Sequence, residues 1–86
     1  MAKRGHKVKV VERKLGRIGA YGVATKSANL IELDPRMSER RRLTILVHEA
    51  LHLARWDMTE REVTAIAPKI GKVLWQQGYR RTHFDT

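Results

Sequence analysis

The sequence predicts an α+β fold: a small antiparallel sheet of about three strands packed on a two-helix hairpin. Three observations carry this. Short β-branched runs separated by glycine and Asp-Pro fill the first 35 residues, and two apolar patterns of helical period follow. The third is length, since 86 residues support one hydrophobic core and not two.

The elements read in order. Val8, Val10 and Val11 mark a strand within residues 7–15, and Gly16, Gly19 and Gly22 punctuate a turn or irregular loop around 16–20. Tyr21–Thr25 reads as a second strand. Lys26-Ser27-Ala28-Asn29 forms a turn into a third, Leu30–Leu33, which Asp34-Pro35 terminates. Ser38 is a good N-cap for a helix reaching about Trp56, in which Leu43, Leu46, Val47, Ala50, Leu51 and Ala54 make one apolar stripe. After a break at Asp57-Met58, Thr59-Glu60-Arg61-Glu62 has the form of a capping box. The second helix carries Val63, Ile66, Ala67, Ile70, Val73, Leu74 and Gln77 on one face. Pro68 should kink or divide it, and Gly78 should stop it. The whole chain, 1–86, is thus one domain. It has a basic strand region at 1–19, a core at 20–78 and a loosely ordered tail at 79–86.

Composition excludes several classes of function. There is no cysteine, hence no disulfide framework and no thiolate metal site, so any metal must be held by His and carboxylates. No apolar run approaches the ~18 residues needed to span a bilayer, and no signal-peptide pattern follows the basic N-terminus, so the expected location is the cytoplasm. The formal net charge of +9 favours a polyanionic partner, nucleic acid or an acidic protein surface. No RNA-binding aromatic motif accompanies it, and one Phe, two Tyr and two Trp offer few stacking platforms.

The chemistry-bearing constellation is His48-Glu49-Ala50-Leu51-His52. Residues four apart on a helix lie one above the other, so both imidazoles can share one cation. Glu49 is rotated by roughly 100° from His48, which sets its carboxylate beside such a cation, where it can act as general base. A chance H-E-x-x-H in a chain of this length is an event on the order of one in a few hundred. The two histidines also point away from the apolar stripe, toward a cleft. The expected metal is zinc, whose catalytic sites take three protein ligands. Glu62 is the expected third ligand, about one turn into the returning helix, although the capping box with Thr59 claims the same side chain. Asp57 and then Glu60 are the alternatives. His6 and His83 lie in flanking segments as solvated histidines. Tyr21, Tyr79 and His83 are the available donors for an oxyanion. The strand Leu30–Leu33 could bind an extended peptide at a sheet edge.

These residues resemble the zincin metallopeptidases. The order of strand, Asp-Pro turn, His48-Glu49-x-x-His52 helix and Glu-bearing helix is similar to compact gluzincin-type and ImmA/IrrE-type domains over roughly residues 20–77. In that group a glutamate before a small-residue helical stretch supplies the third zinc ligand, which here implies Glu62, ahead of Val63-Thr64-Ala65-Ile66-Ala67. Small zincin-like proteins of this layout are also common among phage gene products, which would place the chain in the host cytoplasm or the virion. The SprT-like proteases, which digest protein attached to DNA, offer a parallel that suits the basic charge. The resemblance implies a zinc-dependent peptidase acting on a protein or peptide substrate, with Glu49 as general base. The alternative is a zinc-stabilised binding or assembly protein, associated with a phage particle or with DNA.

Overall fold

The computed structural model describes residues 7–16 and 20–82. Their elements are β1 (Lys9–Glu12), β2 (Gly22–Thr25), a 3-10 turn (Lys26–Ala28), β3 (Leu30–Leu33), α1 (Glu39–Ala54) and α2 (Glu60–Gln76). This is an α+β fold with a three-stranded sheet and two helices.

The sheet is mixed, not wholly antiparallel. β3 lies in the middle, antiparallel to β2 and parallel to β1. The tight β2–β3 connection fixes the antiparallel pair, with Asn29 in the left-handed region (φ 49°) closing the turn. Nine residues, 13–21, separate β1 from β2, enough chain to pass around the end of an intervening strand roughly 10 Å wide in all. Asp34 anchors that passage: its buried carboxylate accepts the Leu15 N–H at 2.8 Å and is clamped by the Arg36 side chain, with Nη2 at 2.6 Å. Because β3 is central, it offers no free edge for a peptide. The open edge nearest the helices belongs to β2.

Ser38 caps α1 by accepting the Arg41 N–H, and Thr59 and Glu62 close the expected capping box on α2. Gly78, at φ 86°, ends α2 in a Schellman motif: Tyr79 N–H donates to the Leu74 carbonyl and Gly78 N–H to the Trp75 carbonyl. α2 runs unbroken through Pro68. Both Pro68 and Thr64, the residue whose carbonyl loses its donor, are exposed, so water can satisfy that carbonyl.

The fully buried apolar residues are Leu15, Ile31, Leu33, Val63 and Ala67. Two apolar stripes differ from expectation. On α2 the inward face is Val63, Ala67 and Gly71, whereas Ile66, Ile70 and Val73 are exposed. On α1, Ile45 and Glu49 pack against β2, and Leu46, Ala50, Leu53 and Ala54 line an open apolar groove with Val8, Val10 and Ile31. Of the tail expected at 79–86, the described residues end at 82, and Arg81 among them reaches Glu12 at 2.7 Å and Glu39 at 2.6 Å. No helix among the described residues is long and apolar enough to cross a membrane.

Candidate metal centre

α1 presents His48 and His52 one turn apart with ring centroids 5.0 Å from each other, as the i, i+4 spacing requires. The third member of the cluster is Glu60. Its carboxylate spans both imidazoles, Oε2 at 3.1 Å from His48 Nε2 and Oε1 at 2.9 Å from His52 Nε2. All three ligating atoms lie within 4.8 Å of one another, and the group could hold a metal ion.

Glu62, the ligand expected from sequence, lies outside this group. Its Oε1 accepts the Thr59 N–H at 2.9 Å while its own N–H donates to Thr59 Oγ1 at 3.1 Å, so the carboxylate is spent on the cap. Helix geometry gives the reason. Glu60 precedes Val63, Ala67 and Gly71 at spacings of three, seven and eleven, on the stripe that faces α1, and Glu62 is about 200° around from it. Close approach makes the first residue of α2 reach His52 across the turn. A Cβ placed on Gly71 would sit 2.8 Å from Thr44 Oγ1, so the absence of a side chain there lets the two backbones come together.

The other candidates fall elsewhere. Asp57 is held by Arg55 through two hydrogen bonds of 3.0 and 3.2 Å. Tyr79 stands at the far end of the hairpin, beside residues of the first turn of α1. Tyr21 precedes the open-edge strand β2, and the Arg41 guanidinium lies 4.5 Å over its ring. His6 and His83 lie outside the described residues.

Glu49 is 8% exposed, packed between α1 and the backbone of β2. A Cβ on Gly22 would meet Glu49 Oε2 at 3.1 Å and Ile45 Cγ2 at 2.7 Å, so glycine is what makes room for the carboxylate. Burial pushes the Glu49 carboxyl above its ordinary value, and the imidazoles of His48 and His52 act in the opposite direction. Asp34 N–H donates to the Tyr21 carbonyl, so by antiparallel alternation the N–H and C=O groups of Gly22 and Ala24 point to the open edge beside Glu49. Trp56 extends the row of rings, edge-on to His52 at 6.4 Å, with Lys26 Nζ 5.9 Å from the indole centroid.

The donor set suits a cation. Three groups with lone pairs at this spacing need hydrogens or a cation between them, either N–H groups of the two imidazoles donating to the carboxylate or one shared ion. A tetrahedral ion with bonds of about 2.1 Å sets its ligand atoms about 3.4 Å apart. Here one ligand atom from each of the three residues lies within 4.8 Å of the other two, so an ion would draw them closer, and the 3.1 and 2.9 Å contacts join the two imidazoles to different oxygens of Glu60 at hydrogen-bond distance. The Glu60 side chain is 71% exposed, so the cluster is open to solvent on one side. Comparison with family models, curated proteins and solved structures finds no match for this chain.

Proposed function

We propose that the chain is a zinc-dependent metallopeptidase, with His48, His52 and Glu60 holding the ion and Glu49 as general base. The observation that carries this reading is the convergence of both imidazoles on one carboxylate, beside a buried carboxyl at an open strand edge. Two nitrogens and one oxygen, with one side left to solvent, are the donor set of catalytic zinc sites. When bound, zinc supplies Lewis acidity toward a carbonyl oxygen and toward water.

The chain's own residues supply the rest. An extended peptide adds to the β2 edge through the outward N–H and C=O groups of Gly22 and Ala24, which lays its backbone alongside Glu49. Glu49, raised by burial, takes the proton from water as it attacks the peptide carbonyl and passes it to the amine that leaves when the C–N bond breaks. The test is Glu49→Gln assayed against a peptide library. Cleavage should fall by about 10²–10⁴-fold while bound zinc is unchanged. Unchanged cleavage, or loss of the ion, contradicts the assignment.

A second reading is favoured by one observation: Glu60 and the two histidines lie on opposite sides of the interhelix turn, so a shared ion fastens α1 to α2. In a non-catalytic binding or assembly protein that fastening would itself be the purpose. Strong destabilisation on chelation, with no peptide ever cut, would select it.

A further inference from the structure

The far end of the helix pair gathers what the candidate metal centre lacks. Around the centre, Glu49, Asp57, Glu60 and Glu62 balance Lys26, Arg55 and Arg61, so the net charge of +9 must come from elsewhere. At the opposite end, where the first turn of α1 meets the last turn of α2, the local acids are already engaged. Glu12 accepts from Arg42 at 3.0 Å and from Arg81 at 2.7 Å, and Glu39 accepts from Arg81 at 2.6 Å. Arg40 and Arg80 have no carboxylate within ion-pair distance among the described residues.

These two arginines converge on one indole. The Arg80 guanidinium lies 3.3 Å from the Trp75 ring centroid and that of Arg40 lies 6.0 Å away. Arg80 is fixed there because its Nη1 donates to the carbonyls of Trp75 and Tyr79, each at 3.0 Å. Tyr79 follows at once, 63% exposed, on the rim of a cavity of about 290 Å³ that Trp75, Tyr79 and Arg80 share with Leu43 and Leu46. Two of the chain's few large aromatic rings thus stand beside cations that have no carboxylate partner among the described residues. Guanidinium planes and tyrosine rings are surfaces on which unstacked bases rest, and unpaired arginines attract the adjoining phosphates.

We propose that this end of the helix pair binds single-stranded nucleic acid, one base stacking on Tyr79 beside the Trp75–Arg80 pair while Arg40 and Arg80 contact neighbouring phosphates. The surface is separate from the metal centre, since Arg40 and His48 are eight residues apart on α1, about 12 Å along its axis. The proposal therefore stands independently of the peptidase reading. Among polyanions, nucleic acid is favoured over an acidic protein surface because a base and its phosphate use the ring and the guanidinium groups together, flat face against flat face and charge against charge.

The experiment is a fluorescence-anisotropy titration of a labelled 12-nucleotide oligothymidylate with the full, untagged chain between 50 and 200 mM salt, with heparin as a polyanion lacking bases. Saturable binding is expected, and its log–log salt slope should be about −1.4 or steeper, about −0.7 for each phosphate contacted. Arg40→Gln with Arg80→Gln should weaken binding and flatten the slope by about 1.4. Tyr79→Ala should weaken oligothymidylate binding about tenfold with the slope unchanged and leave heparin unaffected, and Tyr79→Phe should bind as wild type. Melting temperatures identify any variant that fails to fold, and Arg40→Gln alone, whose side chain takes part in none of the hydrogen bonds that hold residues 79–82, then carries the charge test. No saturable binding at 50 mM salt overturns the proposal. So does Tyr79→Ala binding both ligands as the wild type does, which would mean that the face serves an acidic partner without bases.

Discussion

Gly71 and Thr44 set the distance between the two helices: a Cβ on Gly71 would lie 2.8 Å from Thr44 Oγ1 and 3.3 Å from Thr44 Cα. Glu60 lies on the same stripe of α2, the face turned toward α1 and its two histidines. Gly71→Val should force the helices apart, cost about 1–3 kcal/mol, and lower metal affinity at least tenfold without altering any ligand. A competition titration with a chromophoric chelator reads the affinity. Wild-type affinity in Gly71→Val would break the link between helix spacing and the cluster.

Glu62 is a capping residue, and its replacement should be felt in stability alone. Glu62→Ala removes the carboxylate that accepts the Thr59 N–H and should cost about 0.5–1 kcal/mol, a fall in melting temperature of about 2–8 °C. Thermal unfolding followed by circular dichroism measures it, and a Thr59→Ala/Glu62→Ala double variant that loses less than the two single losses together would show that the side chains act as one cap.

The buried position of Glu49 sets the direction of the pH dependence. Its carboxyl is raised, and in the proposed role of general base it must be deprotonated to accept a proton, so peptide cleavage should fall as pH drops through a value above the ordinary glutamate range near 4.3. Gly22→Ala crowds the same carboxylate and Ile45 Cγ2, and should reduce kcat while the metal stays bound. A pH–rate profile with its acid limb at or below the ordinary range would place the base elsewhere.

Asp34 has the opposite sign. The Arg36 guanidinium, followed by the N–H groups of Leu15 and Arg36, holds its carboxyl well below the usual carboxylate range. A lowered pKa in the folded state contributes stability that is fully present above the unfolded value near 3.9 and is lost as pH falls from there through the lower folded-state value. Melting temperature should therefore be steady above about pH 5 and decline below about pH 4. In Asp34→Asn the melting temperature at neutral pH should be about 5–15 °C lower and the acid decline shallower.

Much of this architecture can be read from the chain before it is folded. Leu30–Leu33, the Ser38 and Thr59 caps and the Gly78 stop occupy the expected positions because each rests on a local rule of backbone geometry. The imidazole pair follows from helical spacing alone. Two features rest on long-range geometry instead. A four-residue strand such as Lys9–Glu12 has no intrinsic direction, and its parallel pairing with β3 is decided by where the 13–21 connection can pass. The choice of Glu60 over Glu62 depends on which face of α2 turns inward. Large apolar residues suggest Ile66, Ile70 and Val73, but close helix packing selects the small residues Ala67 and Gly71 and leaves the larger ones exposed. The signal for Glu60 was the small-residue stripe, read backward from Gly71 through Ala67 and Val63.

The most direct measurement is the metal content of the untagged protein by mass spectrometry, after reconstitution with zinc, for wild type, Glu60→Gln and Glu62→Ala. One zinc per chain in wild type and in Glu62→Ala, with none retained in Glu60→Gln, is the expected result. No zinc in the wild type, or zinc lost with Glu62 and kept without Glu60, would contradict a centre built from His48, His52 and Glu60.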